Sequence, residues 1–327
     1  MTTGREVTDR NAGDWAPAAS PAMLQRRAQL LAQVRDFFRE RRVMEVETPT
    51  VLSATVTDPQ IPSLEVAVVP HRFLQTSPEY PMKRLLAAGS GDIYQICHAF
   101  RAGERSRLHN PEFTMVEWYR TGFNLQQIME ETAALVARLL GSQPPVESIT
   151  YNDAFLRELD CDALESPVED LDRLCRKHGL AGQGLSAATR EDLLDFLVAA
   201  VVGPRLGQGK ITCMHHYPVA QAALAQVDKD DPRTALRFEV YAQGLELANG
   251  FVELADSSEQ RARFQNDREQ RALRGLPDVQ VDARMLSALE AGLPACAGVA
   301  LGFDRVVMLA AGAASIDEVM AFPWERA

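Results

Sequence analysis

The sequence predicts an α+β fold, an antiparallel sheet flanked by helices. Strand-like segments outnumber the helices that could carry crossovers, and many lie close enough in sequence to be joined as hairpins. A long amphipathic helix precedes the strands and a helical stretch interrupts them, so helices are available to cover the sheet.

Each element has its own signal. Residues 1–22 contain no apolar stretch of the signal-peptide kind and read as a flexible arm. In "MLQRRAQLLAQVRDFFRERR" (23–42), Leu24, Leu30, Leu31, Val34, Phe37 and Phe38 recur at helical spacing. Its basic end, Arg39, Arg41 and Arg42, suits a helix C-terminus. "VMEVETPTV" follows as a short strand stopped at Pro49, and further strands are expected near 64–69 and 73–76. Ser77 as N-cap and Pro78 at the first helical position open a helix that runs to Ala88. "DIYQICHAF" and "FTMVEWYR" read as two strands around an arginine-rich loop. From 124 to about 203 the pattern is a helical insertion, with helices over 125–140, 151–159, 168–178 and 190–202. Strands return at 211–216, 237–242 and 245–254, followed by helices at 257–274 and 282–291. "CAGVALGFDRVVMLAAG" closes the pattern as a glycine-punctuated strand opening into a helix. Residues 23–327 thus read as one domain.

Composition narrows the function. The 327 residues are 46% hydrophobic and 24% charged, ordinary for a globular protein, and no apolar run reaches the roughly 18 residues of a membrane span. No membrane association is expected. The net charge of −11, from 34 basic and 45 acidic residues, argues against a broad nucleic-acid grip. Cys97, Cys161, Cys175, Cys213 and Cys296 are odd in number and form no C-x-x-C pair, which fits reduced thiols in a cytoplasmic protein rather than zinc or a disulfide framework. His215 and His216 sit in a strand, where neighbours face opposite sides, and read as structural.

Three separated segments place polar groups on otherwise apolar strands. "FRAGERSRLHNPEFTMVEWYR" (100–120) alternates Phe113, Met115, Glu117 and Tyr119 on one side. "RFEVYAQGLELANGFVEL" (237–254) carries Glu239, Asn249, Phe251 and Glu253, with Glu246 across a turn at Gly244. Two carboxylates, Glu239 and Glu246, at one end of a hairpin make a hard-cation site of the kind Mg²⁺ uses beside phosphates. "GVALGFDRVVML" (298–309) has Gly298 and Gly302, where backbone can approach a flat ligand, and Arg305 at the strand-to-helix junction. Carboxylates such as Glu117, Glu246 and Glu253 on a covered face cost several kcal/mol each to desolvate unless cations meet them.

These segments, in this order, resemble the signature motifs of class II aminoacyl-tRNA synthetases: "RRVMEVETPTV" motif 1, the 100–120 segment motif 2 and the 298–309 segment motif 3. The wording "TSPEYPMKRLL", "HNPEFTMVEWYR" and "ELANGFVEL" is similar to the elongation factor P (R)-β-lysine ligase family, a paralogue of lysyl-tRNA synthetase, and the resemblance covers about residues 20–327. It implies a class II synthetase-like core that activates (R)-β-lysine with ATP and Mg²⁺ and passes it to a lysine of elongation factor P. It also implies residue roles. Arg101 and Arg305 would be catalytic, on the α- and γ-phosphates. Glu104, His109, Asn110, Phe113, Glu246, Leu247 and Gly302 would join them around ATP. Ser77, Pro78, Glu79, Glu117, Tyr119, Asn249, Phe251, Glu253 and Ala300 would line the amino-acid pocket, and Glu239 with Glu246 would hold the metal.

The chemistry suits these residue types, because a substrate carboxylate attacks the α-phosphorus and no protein nucleophile is needed. Two departures stand out. Both families often read F-R-N-E where this chain has Phe100-Arg101-Ala102-Gly103-Glu104, and Val252 stands where several members have histidine. Lysyl-tRNA synthetases carry an N-terminal OB-fold of roughly 100 residues for the anticodon. Residues 1–22 are too few for one, so tRNA is disfavoured as the acceptor. A lysine-activating enzyme with another acceptor, or a non-catalytic paralogue acting as a regulatory subunit, are the alternatives. A homodimer through motif 1 is expected from the resemblance.

Overall fold

The computed structural model describes residues 15–67, 71–180 and 188–327. Most of the expected arm, 1–14, lies outside them, as do 68–69 of one expected strand. Helix α1 (Pro21–Glu40) begins two residues before the apolar spacing does. Ser20 caps it by accepting from the Met23 amide at 3.2 Å, and Pro21 occupies its first turn. Motif 1 supplies two short strands rather than one, β1 (Met44–Glu45) and β2 (Val51–Leu52). β2 pairs with β3 (Phe73–Leu74), and the strand expected near 64–69 is reduced to a bridge between Glu65 and Phe73. In α2 (Glu79–Ala87) Pro78 is the cap, and Ser77 Oγ accepts from the Glu79 amide at 3.0 Å.

β4 (Ile93–Phe100) and β5 (Glu112–Thr121) flank the arginine-rich loop, and α3 (Leu125–Leu140) follows behind a capping box of Asn124 and Gln127. The stretch 124–203 is not wholly helical. β6 (Val146–Thr150) intervenes before α4 (Tyr151–Leu159), α5 (Val168–Lys177) and α6 (Arg190–Leu197), which runs into a π-helical turn at Val198–Val202. Five residues with three polar members carry too little periodicity to separate a strand from a loop. Then come β7 (Ile211–Pro218), β8 (Thr234–Ala242), β9 (Leu245–Val252), α7 (Ser257–Leu273), α8 (Ala283–Gly292), β10 (Cys296–Gly302) and α9 (Phe303–Ala311). No helix among the described residues is long and apolar enough to cross a membrane.

The main sheet has eight strands in the order β1-β4-β5-β10-β9-β8-β7-β6. β1 runs parallel to β4 and β6 to β7; the other neighbours are antiparallel. One face is the core. Tyr94, Trp118, Val299 and Phe238 bury there against Phe38 of α1 and the apolar stripes of α3 and α9, with Phe38 stacked on Tyr94 at 4.4 Å between ring centroids. α3 therefore belongs to the core of the domain. A second cluster joins α4–α6 to Met214 and Tyr241, and a third joins α2, α7 and α8 around Tyr80, Phe264 and Met285. His215 and His216 do not face opposite sides as expected. The register shifts between His215 and Tyr217, His216 takes φ 57°, and the two rings touch at 4.7 Å between centroids.

The β8–β9 hairpin decides what the other face displays. Its turn, Gln243–Gly244, has φ of 50° and 75°, which suits a two-residue connection. Tyr241 pairs with Glu246, but Val240 pairs with Ala248 and Glu239 with Asn249, so Leu247 is an extra residue on β9. Without this bulge Ala248 and Gly250 would oppose Glu239 and Arg237; with it Asn249 and Phe251 do. Gly250 is left on the packed side, where an added Cβ would lie 2.6 Å from the Gly298 carbonyl oxygen and 2.8 Å from the Phe238 ring. Gly250→Ala is expected to destabilise the fold by about 1–3 kcal/mol, measured as a fall in the denaturation midpoint. An unchanged midpoint would show that the β9–β10 packing has more room than this register allows.

Candidate active site

Register fixes which side chains share the open face. One row across β4, β5, β10, β9 and β8 runs Gln95, Glu117, Ala300, Asn249, Glu239. The next runs Ile93, Tyr119, Gly298, Phe251, Arg237. Alternation along β5 adds Met115 and Phe113. Residues far apart in sequence thus form a single floor.

One end of the floor is a cluster of buried charge. Glu117 is only 2% exposed; Ser77 Oγ and Tyr119 Oη donate to its two oxygens, each at 2.7 Å. Burial, with the like charge of Glu79, lifts its carboxyl to about 7 against the pull of those two donors and Lys83. Glu253, 1% exposed, is lifted by burial as well, although Lys83 opposes this. Lys83 is fully buried, with Nζ 2.7 Å from Glu79 and 2.5 Å from Glu253. Burial alone would push its ammonium down, but the two carboxylates outweigh that and hold it charged. Phe251 lies 5.4 Å from the same Nζ. Gly298 serves packing rather than ligand approach, because an added Cβ there would strike Tyr119 and Glu253. Ala300 stands in the row between Glu117 and Asn249, with its methyl on the floor side.

The other end is cationic. The Arg101 guanidinium lies over the Phe113 ring, 5.2 Å from its centroid, and its Nε has no hydrogen-bond partner among the described residues. Its acid neighbour, Glu104, is 3.7 Å away. The displaced glutamate still reaches this arginine because Gly103, at φ 75°, takes up the extra residue. Arg305 donates to the Glu246 carbonyl at 2.8 Å, lies 3.5 Å from the Glu246 carboxylate and meets His109 Nε2 at 2.5 Å. Burial and Arg305 depress the basicity of His109, so a neutral ring that accepts from Arg305 accounts for the contact. Gly302 is open: an added Cβ would meet only the Leu247 carbonyl, at 3.9 Å.

Two expected nucleotide residues have their side chains engaged elsewhere. Asn110 is buried, donates to the Glu112 carbonyl at 2.6 Å and accepts from the Trp324 amide at 3.0 Å. The Leu247 side chain belongs to the core beneath the sheet. For both, only the backbone is left to meet a nucleotide. The Asn110 contact is part of a wider strap. Arg105 pairs with Asp317 and Glu325, and the Arg107 backbone and side chain bond to residues 316 and 314.

Glu239 is nearly buried, paired with Arg237 at 2.7 Å, and accepts from Tyr241 Oη at 2.6 Å. Burial and the nearby Glu246 raise its carboxyl, so the two acids are close enough to repel. The Glu246 side chain is 41% exposed and is the open one of the pair. Among the described residues no three acids, histidines or cysteines gather as a metal cage. One or two carboxylates completed by substrate phosphates is the arrangement Mg²⁺ takes, and this pair fits it.

Sequence reasoning missed Lys83, Arg237 and Tyr241. Each had a signal. Lys83 is four residues after Glu79 on a helix, and Arg237 and Tyr241 flank Glu239 at strand period two. The strap from residues 314–325 had none, because it bridges segments about 200 positions apart.

The family of tRNA synthetases class II (D, K and N) matches residues 11–326. Proteins named elongation factor P–(R)-β-lysine ligase are similar over nearly the whole length. Those of Klebsiella pneumoniae (strain 342) and Salmonella typhi are each 47% identical over 320 residues, 96% of this chain and 98% of theirs. That of Proteus mirabilis (strain HI4320) is 47% identical over 321 residues, with the same coverage. A floor made from motifs 2 and 3 and this degree of identity lead to one conclusion: the chain belongs to the class II tRNA synthetase family, in its branch of elongation factor P–(R)-β-lysine ligases.

Proposed function

We propose that the chain activates (R)-β-lysine with ATP and transfers it to a lysine side chain of elongation factor P. The observation that supports this most is the pairing of two unlike ends on one floor. Buried carboxylates wait at one end, and arginines with free or shallowly held donors wait at the other. The names of the similar ligases supply the substrate and the acceptor.

The first step joins a carboxylate oxygen of the amino acid to the α-phosphorus. The bond to the bridging oxygen breaks, and pyrophosphate leaves. Arg101 and Arg305 meet the phosphate charge, and Glu117, Tyr119, Glu253 and Asn249 orient the diamino acid. Glu246 and Glu239 would hold a Mg²⁺ ion, which would supply further positive charge to the polyphosphate. In the second step an acceptor amine attacks the adenylate carbonyl, loses a proton, and AMP leaves with its bonding electrons. No side chain of this protein becomes covalently attached.

Two copies are proposed to assemble through the motif 1 region, where Met44 and Val51 leave apolar side chains half exposed. Sedimentation velocity of the active enzyme should show a dimer, and an active monomer would remove this part of the proposal.

Pyrophosphate exchange with (R)-β-lysine and with α-lysine, followed by mass measurement of elongation factor P, tests the function. Faster exchange with the β isomer and one added β-lysyl mass are expected. Exchange without modification of elongation factor P would favour another acceptor, and no exchange would favour a non-catalytic role.

Ala300 gives that test a residue. Its methyl stands on the floor between Glu117 and Asn249, where it would crowd an ammonium on the α-carbon more than one on the β-carbon. Ala300→Gly is expected to shift the ratio of kcat/KM toward α-lysine by roughly 10- to 200-fold, the worth of one methyl in a tight pocket. A ratio that does not move excludes Ala300 as the selector.

Proton linkage gives a further expectation. The folded-state pKa of Glu117, about 7, lies above its ordinary value of 4.5. Its contribution to stability is therefore fully present below about 4.5 and is lost as pH rises through 7. A substrate ammonium favours the ionised form. The KM for the amino acid should therefore fall between pH 6 and 8, by up to about tenfold per unit for one proton released, while the KM for ATP follows no such trend. An amino-acid KM that is flat in pH would place Glu117 away from the substrate.

A further inference from the structure

Lys83 is the most completely buried cation of the floor, and neither the phosphate end nor the reacting atoms require it. It sits on the inward side of α2, one helical turn after Glu79, and its helix neighbours Met82 and Leu86 belong to the third apolar cluster. Its ammonium spans two elements: Glu79 on α2 at 2.7 Å and Glu253, just past β9, at 2.5 Å. Glu253 Oε1 is buried without a hydrogen-bond partner among the described residues. That oxygen lies against Gly298 and Tyr119, on the side of the floor. Glu253 Oε2 meets Lys83, while Oε1 is enclosed beside Gly298 and Tyr119 with no donor of its own among the described residues.

We propose that Lys83 is a positioning residue of the amino-acid pocket, a resident ammonium that braces Glu79 against Glu253 and sets the pocket's charge to suit a substrate with two ammonium groups. The count supports this. When Glu79, Glu117 and Glu253 are all ionised, the single ammonium of Lys83 leaves the cluster two negative charges, a state that the arrival of substrate ammonium groups favours. A diamino acid brings two positive charges. Without Lys83 the cluster would hold a third uncompensated charge in a desolvated site, and the carboxylates would separate or take up protons. Lys83 also ties the helix that begins at Glu79, two residues after Ser77, to the strand end that carries Glu253, so it fixes the distance between two walls of the pocket. This inference rests on the reading of that end as a diamino-acid site.

The test is amine rescue in the pyrophosphate-exchange assay with the full-length enzyme. Lys83→Ala removes the ammonium and leaves room for a small one. The KM for the diamino acid should rise roughly 10- to 100-fold, as for loss of a charge-assisted contact, with the KM for ATP within about twofold of the unmodified enzyme. Propylammonium added to the assay should restore much of the loss, and neutral propanol should not. A parallel rise in both KM values, or equal recovery with propanol, overturns the role. Should Lys83→Ala fail to fold, Lys83→Met, close in length and apolar, carries the same comparison: a KM rise confined to the diamino acid supports the role and an unchanged KM overturns it. Failure of the unmodified enzyme to exchange with any diamino acid would instead overturn the functional reading on which the inference rests.

Discussion

Burying carboxylates on a sheet face is the constraint around which the rest of the molecule is arranged. An isolated ionised carboxyl in such a place costs several kcal/mol, so each one has recruited partners. Glu117 takes hydroxyls from Ser77 and Tyr119, Glu253 takes Lys83, and Glu239 takes Arg237 and Tyr241. These partners come from α2 and the residues just before it, from β5 and from β8, and they link those elements across the floor. The first apolar cluster lies beneath the sheet, and the third, which includes Ile93 and Tyr119, packs on the floor side.

The two ends of the floor solve opposite problems. At the acidic end the carboxylates are almost fully withdrawn from water, and their ionisation is poised rather than fixed. At the cationic end the arginines keep partial solvent access and make few strong ion pairs: Arg101 is 3.7 Å from Glu104 and Arg305 is 3.5 Å from the Glu246 carboxylate. Guanidinium groups held this loosely are free to take another anionic partner, whereas a tightly closed pair would first have to be broken.

Much of this was legible in the sequence, and the reasons are local. Alternation alone put Phe113, Met115, Glu117 and Tyr119 on one side of β5, and the structure keeps them there. The paired helix signals at Ser20–Pro21 and Asn124 lie in the chain, although apolar spacing placed the first helix start two residues late. What stayed hidden depends on register or on distance in sequence. The bulge at Leu247 has no residue signature, and Val252 joins the core face only because of it. Asn110 looked like a nucleotide ligand by its motif, yet its side chain is held by Trp324, more than 200 positions away. β6 was too short and too polar to show a period.

The bulge also bears on how the hairpin finds its partner. β9 could lie against β8 in two alignments one step apart, and a two-residue turn would tolerate the unbulged one. That misalignment would turn Asn249, Phe251 and Glu253 under the sheet, toward Phe238 and Val299, and strand a carboxylate in hydrocarbon. The groups that line the floor thus also carry a penalty against the wrong pairing, because that register would bury them unpaired. Replacing them with aliphatic residues of similar shape would ease the burial of charge and, in the same stroke, remove that penalty.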